Sequence, residues 1–198
     1  MTFPVHRVRG TASELHHRDL PAERGVWIFE AVQPALVLGS TQPMVDAAGV
    51  EVVRRRSGGG AVFVEPGGTL WVDVIVPRGD ERWDDDVGRS TYWLGDAWAG
   101  AVGNGASAHR GAMVRTPWSD RVCFAGLGPG EVTIEGTKVV GISQRRTRAS
   151  ARFQCVVYER WNPDPLRALL GLDVAVAAAG VGMGRLGVVE AALLAQFA

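Results

Sequence analysis

Lysine is nearly missing from this chain: Lys138 stands alone against twenty arginines in 198 residues. Cysteine is scarce too, with only Cys123 and Cys155. Two thiols exclude a disulfide framework and a four-thiolate zinc site. Net charge is absent, 21 basic residues balancing 21 acidic ones, which excludes a general nucleic-acid binder and leaves basic clusters to be read locally. No apolar run approaches the ~20 residues of a membrane span. The start, Met1 to Arg7, lacks the charged segment followed by an apolar one that marks a signal peptide. His6, His16, His17 and His109 show no HExxH or Cys/His spacing, so no metal site is expected. The expectation is a cytoplasmic protein with reduced thiols and no nucleic-acid or membrane partner.

What is present is 46% hydrophobic sequence, enough for one domain over residues 1–198 with a sizeable core. Val26–Phe29, Ala35–Leu38, Val50–Val53, Leu70–Val76 and Arg152–Tyr158 read as strands. Val132–Ile134 and Thr137–Val140, joined by Glu135-Gly136, read as a hairpin. Asp84, Asp85 and Asp86 favour a helix start. Val87, Thr91, Leu94, Trp98 and Val102 follow at helical spacing up to Gly103-Asn104-Gly105. Asn162-Pro163 opens a short helix, and Val188–Phe197 forms a last one. The fold class is therefore α/β (α+β), a mixed β-sheet flanked by helices.

The strongest local signal is Arg54-Arg55-Arg56-Ser57-Gly58-Gly59-Gly60-Ala61-Val62. Three glycines let the backbone turn sharply and approach a ligand, and successive N–H groups can form an anion nest. Adjacent arginines can add paired donors to a phosphate. Arg145, Arg146 and Arg148 form a second basic cluster behind Lys138, and both clusters could serve one phosphorylated ligand. A lone lysine between Gly136 and Gly141 suits a compact point charge close to backbone, which arginine's planar fork does not supply. Cys155 leaves two readings open: a buried inert thiol, or a nucleophile whose pKa is lowered by nearby basic groups. Gly182-x-Gly184-x-x-Gly187 has the spacing of a dinucleotide fingerprint but no strand or acidic residue after it, and reads as a turn before the last helix.

Three stretches in order resemble the lipoate-protein ligase family, whose catalytic domain is shared with biotin-protein ligases and octanoyl transferases. They are Val37-Leu38-Gly39-Ser40-Thr41-Gln42, the arginine–serine–triple-glycine motif, and Ser119-Asp120-Arg121-Val122-Cys123-Phe124 with Gly136-Thr137-Lys138-Val139-Val140-Gly141-Ile142-Ser143-Gln144. The likeness spans roughly residues 35 to 160. It departs where relatives often carry a histidine after the glycine loop, because this chain has Val64. The resemblance implies ATP and Mg as cofactors, lipoate or octanoate as substrate, and an acyl-adenylate intermediate. Lys138 would touch its carboxyl or phosphate oxygens. Arg54, Arg55, Ser57, Gly58, Gly59 and Gly60 would line the acyl and phosphate pocket, with Asp120, Gly141, Ser143 and Gln144 as further binding residues. The acyl group would pass to a lysine of a lipoyl acceptor-domain protein. The family's C-terminal accessory domain is not in this sequence, so an accessory-domain polypeptide is a conceivable partner. One alternative is an ATP-independent octanoyl transferase fed by acyl carrier protein, with a thioester on Cys155. Another is a non-catalytic lipoate or nucleotide binder.

Overall fold

The computed structural model describes residues 2–173 and 176–198. In chain order the elements are β1 (Val5–Gly10), α1 (Ala12–His17), β2 (Gly25–Ala31), β3 (Ala35–Leu38), β4 (Glu51–Arg54), β5 (Val62–Val64), β6 (Thr69–Pro77), α2 (Tyr92–Val102), β7 (Ser107–Ala108), β8 (Val132–Ile134), β9 (Thr137–Arg146), β10 (Ser150–Tyr158), α3 (Asp164–Leu170) and α4 (Leu186–Ala195). A seven-stranded sheet runs β1-β2-β6-β10-β9-β8-β7, and a three-stranded sheet runs β4-β3-β5. The β1–β2 and β3–β4 pairs are parallel and the other pairs antiparallel, so the sheets are mixed as expected.

Strand alternation divides the large sheet into two working faces. Val72 and Val74 of β6, with Phe153, Cys155 and Val157 of β10, pack under Leu94 and Trp98 of α2 and Val189 and Leu193 of α4. Trp71, Val156 and Tyr158 point the other way, into a second core with Leu36 and Leu38 of β3, Val53 of β4 and Leu15 of α1. The second face is where polar groups enter the interior. Asp73, Gln154, Arg55, Ser57 and Lys138 are all buried.

The hairpin turns at Glu135 and Gly136, both with positive φ (49° and 78°), as a tight two-residue connection requires. The expected Asp-led helix begins later than its spacing suggested. Val87 is exposed, a short 3-10 turn covers Arg89–Thr91, and the α-helix starts at Tyr92 and ends at Val102, with Gly103 as its C-cap. Asp86 accepts from the Arg89 amide at 2.9 Å, so the acidic run caps this turn from the loop before it. Two N-terminal elements, β1 and α1, were not anticipated. A capping box marks α1: Thr11 accepts from the Glu14 amide, and Glu14 accepts from the Thr11 amide at 2.8 Å. Glu51 of β4 accepts from the Ala12 and Ser13 amides at 3.0 and 2.9 Å, which ties this helix start to the small sheet.

Candidate active site

The arginine–glycine motif folds back on itself. Arg55 is buried and spends its guanidinium inside the loop, donating to the carbonyls of Gly58 (2.7 Å) and Gly60 (2.9 Å) and to Ser57 Oγ (3.0 Å). It therefore shapes the loop, its guanidinium spent on these acceptors, while the residue still lines the pocket as expected of it. With the carbonyls drawn inward, the amides of Gly58, Gly59 and Gly60 donate to no group among the described residues. Three successive unpartnered N–H groups are what an anion nest needs. Two glycines are sterically required. A Cβ on Gly39 would stand 1.8 Å from the Gly59 carbonyl oxygen, and one on Gly60 would stand 2.5 Å from the Val122 carbonyl carbon.

Lys138 reaches the same cleft from β9. Its ammonium makes an ion pair with Glu131 at 2.6 Å and donates to the Cys123 and Gly126 carbonyls at 2.8 and 3.0 Å. The Phe124 ring lies beneath it at 5.1 Å. Burial alone would lower the lysine's pKa, but neighbouring Cys123 and Glu131 outweigh burial and raise it. Lys138 is thus a fixed cation, not a base. Its three protons already have acceptors, so a ligand oxygen engages it by replacing one of them. Glu131 also accepts from the Gly128 amide (2.7 Å) and the Ile142 amide (2.9 Å), fixing the 123–131 loop against β9. Sequence reasoning missed Glu131. Its only signal was an acidic residue entering an apolar strand.

The glycine loop and Lys138 line one open cleft with about 980 Å³ of empty volume, together with Thr91, Ser143 and Gln144. The Gln144 amide donates to Ser90 Oγ at 3.0 Å while its own carbonyl oxygen is buried without a donor among the described residues. Arg55, Cys123 and Ser143 belong both to this cleft and to an inner, mostly apolar cavity. Gly141, Val37, Val62, Val64, Trp71 and Val156 supply the inner walls, and His16 and Gln154 supply polar groups. The arrangement is a charged, amide-lined vestibule leading to a greasy slot.

Other expected residues fall elsewhere. Arg54 is exposed at the end of β4. The Asp120 carboxylate is exposed, pairs with Arg115 at 2.8 Å and lines neither space; only its backbone serves the site's frame, through Gln42. Arg146 stacks over Trp83 and donates to the carbonyls of Asp84 and Asp85, so it holds the loop before α2 rather than a phosphate. Cys155 borders the inner cavity, but its thiol belongs to the α2-side core beside Trp98, and burial pushes its pKa far above the ordinary thiol range. A thiol that sequence reasoning passed over lies beside the lysine: Cys123 Sγ is 3.8 Å from Lys138 Nζ.

Residues 13–182 match the family of lipoyl protein ligase A/B catalytic domains. No curated protein matches the chain. Among solved structures, protein Ta0514 of T. acidophilum with bound lipoic acid superposes with TM-score 0.76 at 16% identity, covering 100% of this chain and 84% of that one. A lipoate-protein ligase A bound with ATP gives TM-score 0.73 at 16% identity, with the same coverage. LipL1 of P. falciparum in complex with lipoate gives 0.64 at 12% identity, covering 98% of this chain and 61% of that one. At these identities the likeness establishes a shared fold.

Proposed function

The chain belongs to the lipoyl protein ligase A/B catalytic-domain family, and from that premise we propose that it activates lipoate or octanoate as an acyl-adenylate and transfers the acyl group to an acceptor-domain lysine. One observation carries this reading. Three unpartnered glycine amides and a buried ammonium line one cleft, and that cleft shares walls with an apolar cavity. An acyl-adenylate has this layout, an anionic phosphate joined through a carbonyl to an alkyl chain. The glycine amides would hold phosphoryl oxygens. Lys138 would favour charge developing on the carbonyl oxygen. The apolar walls would fix the chain and keep water away. ATP supplies the activating phosphoryl chemistry when bound. Among the described residues no three His, Cys, Asp or Glu side chains gather, so a magnesium ion would be held chiefly by nucleotide phosphates and water.

A second reading, ATP-independent transfer through an enzyme thioester, is favoured by the position of Cys123 next to Lys138. There the Cys123 sulfur would form a bond to the acyl carbonyl carbon of a carrier thioester. The carrier sulfur would leave with the thiol proton, and the acceptor lysine would then take the acyl group. Incubation with an acceptor domain and either lipoate plus ATP or octanoyl carrier protein without ATP, read by intact mass, separates the two. No acyl mass on the acceptor under either condition would overturn both.

A further inference from the structure

We infer that His16 offers a neutral Nε2–H donor to the inner cavity and selects acids whose far end carries a hydrogen-bond acceptor over plain alkyl acids; the inference rests on the acyl-binding reading above. A chain of hydrogen bonds fixes the tautomer. Asp73 Oδ2, which accepts from Arg152 Nε at 2.5 Å, can only accept, so the Gln154 group 3.4 Å from it is the amide nitrogen. That places the Gln154 oxygen toward Ser57, whose hydroxyl donates to it at 2.7 Å. The Ser57 oxygen in turn accepts from Arg55 Nε. The second Gln154 amide proton then points at His16 Nδ1, 3.2 Å away. Nδ1 is therefore an acceptor, and the ring proton sits on Nε2. A doubly protonated ring would set two donors against each other. Burial and the nearby Arg55, Arg152 and His17 also disfavour it, holding the pKa well below the usual imidazole range.

Among the described residues nothing accepts from His16 Nε2, although the residue is only 6% exposed. The Nε2 atom is not among the buried polar atoms left without a partner, so it faces the open space of the cavity, where a ligand acceptor can take the proton in place of water. The ring packs against Trp71, with centroids 4.2 Å apart and planes tilted by 33°, and both residues line the cavity. Trp71 lies opposite Val156, which lies opposite Gly141, so it stands two strand spacings, roughly 10 Å, across the sheet from the strand of Lys138 and three residues, roughly 10 Å, along it. An acid with its carboxyl end at the Lys138 ammonium would extend its chain toward His16. α1, which the sequence left unread, thus carries a specificity residue. Its end is held in place by Arg152, which donates to the Leu15 and Arg18 carbonyls at 3.4 Å each.

The test compares octanoate with a methyl-ketone acid of the same eight-carbon length by calorimetric titration against the intact wild-type chain and His16→Phe. The ratio of the two dissociation constants should favour the ketone acid about fivefold more in wild type than in the variant, the scale of one neutral hydrogen bond. An unchanged ratio overturns the inference and leaves the acyl-binding reading standing. If wild type binds neither acid nor lipoate, both fail. A histidine-selective nitrogen-15 spectrum of wild type guards against a misfolded variant. The Nε2 resonance should move with the ketone acid and stay put with octanoate, and equal responses would overturn the assignment.

Discussion

The Lys138 ammonium and the Glu131 carboxylate lie 2.6 Å apart, each with a side chain only 5% exposed. A buried pair of this kind does little for net stability while intact, but removing one partner strands a charge. Glu131→Leu should therefore lower unfolding stability by about 3–5 kcal/mol, and Lys138→Met with Glu131→Leu should recover much of that loss. Neither variant should transfer an acyl group at the wild-type rate. Lys138→Arg should lose about a hundredfold or more, the scale of one preorganised oxyanion donor, because a planar fork cannot meet acceptors placed for a compact ammonium. Denaturant titration beside an acceptor-domain mass assay checks both claims, and wild-type turnover in Lys138→Arg would sink the point-charge role.

Gly39 packs against the backbone of the glycine loop. Gly39→Ala puts a methyl group where the Gly59 carbonyl now stands, 1.8 Å from the ideal Cβ position, so the loop must move. Gly58 has open space at its Cβ position, so Gly58→Ala meets no such obstacle. Overpacking of this kind costs roughly 1–3 kcal/mol, and the displaced amides should lose their convergence. Gly39→Ala should abolish ATP protection against thermal unfolding, while Gly58→Ala keeps most of it. Equal protection in the two variants would argue that the nest does not bind the nucleotide.

Much of this was legible in the sequence because it depends on local pattern. The β6 and β10 strands, the Glu135-Gly136 hairpin and the glycine loop announce themselves through alternation and backbone chemistry. The single lysine pointed to the cleft before any geometry was known. What stayed hidden is pairwise and long-range. Arg55 turns inward to Gly58 and Gly60, a direction that no spacing encodes. Glu131 and Cys123 meet Lys138 only after a loop closes on β9. His16 needs Gln154, 138 positions away, to fix its proton. The Thr11–Glu14 capping box was readable and unused, and it carries the helix that holds His16.

Cys123 and Cys155 make opposite predictions for the two enzyme routes. Cys155 is buried among α2-side core residues, with its thiol pKa raised by burial, so Cys155→Ser should change packing and little else. Cys123 stands beside the Lys138 ammonium and belongs to both cavities. With octanoyl carrier protein and no ATP, a trapped acyl-enzyme should be lost in Cys123→Ser and kept in Cys155→Ser if the thioester route operates. With ATP and lipoate, both variants should acylate the acceptor within about threefold of wild type, since an adenylate needs no protein nucleophile. A thioester mapped to Cys155 by peptide mass would reverse the assignment.

Acid should weaken the fold through His16. Its folded pKa is depressed, first by burial and then by Arg55, Arg152 and His17 nearby. The unfolded chain therefore binds a proton that the folded one refuses. The full stability is present above the unfolded value of about 6.5 and is lost as pH falls below it. One such group contributes a slope of at most about 1.4 kcal/mol per pH unit. Asp73, whose pKa burial raises, acts in the opposite sense, but it is present in both wild type and His16→Phe, so the informative quantity is the difference between them. Denaturant unfolding from pH 7.5 down to about 5 should give a steeper loss in wild type than in His16→Phe. Parallel curves for the two proteins would mean that His16 takes up its proton as easily in the folded chain as in the unfolded one, and that the fixed tautomer is wrong.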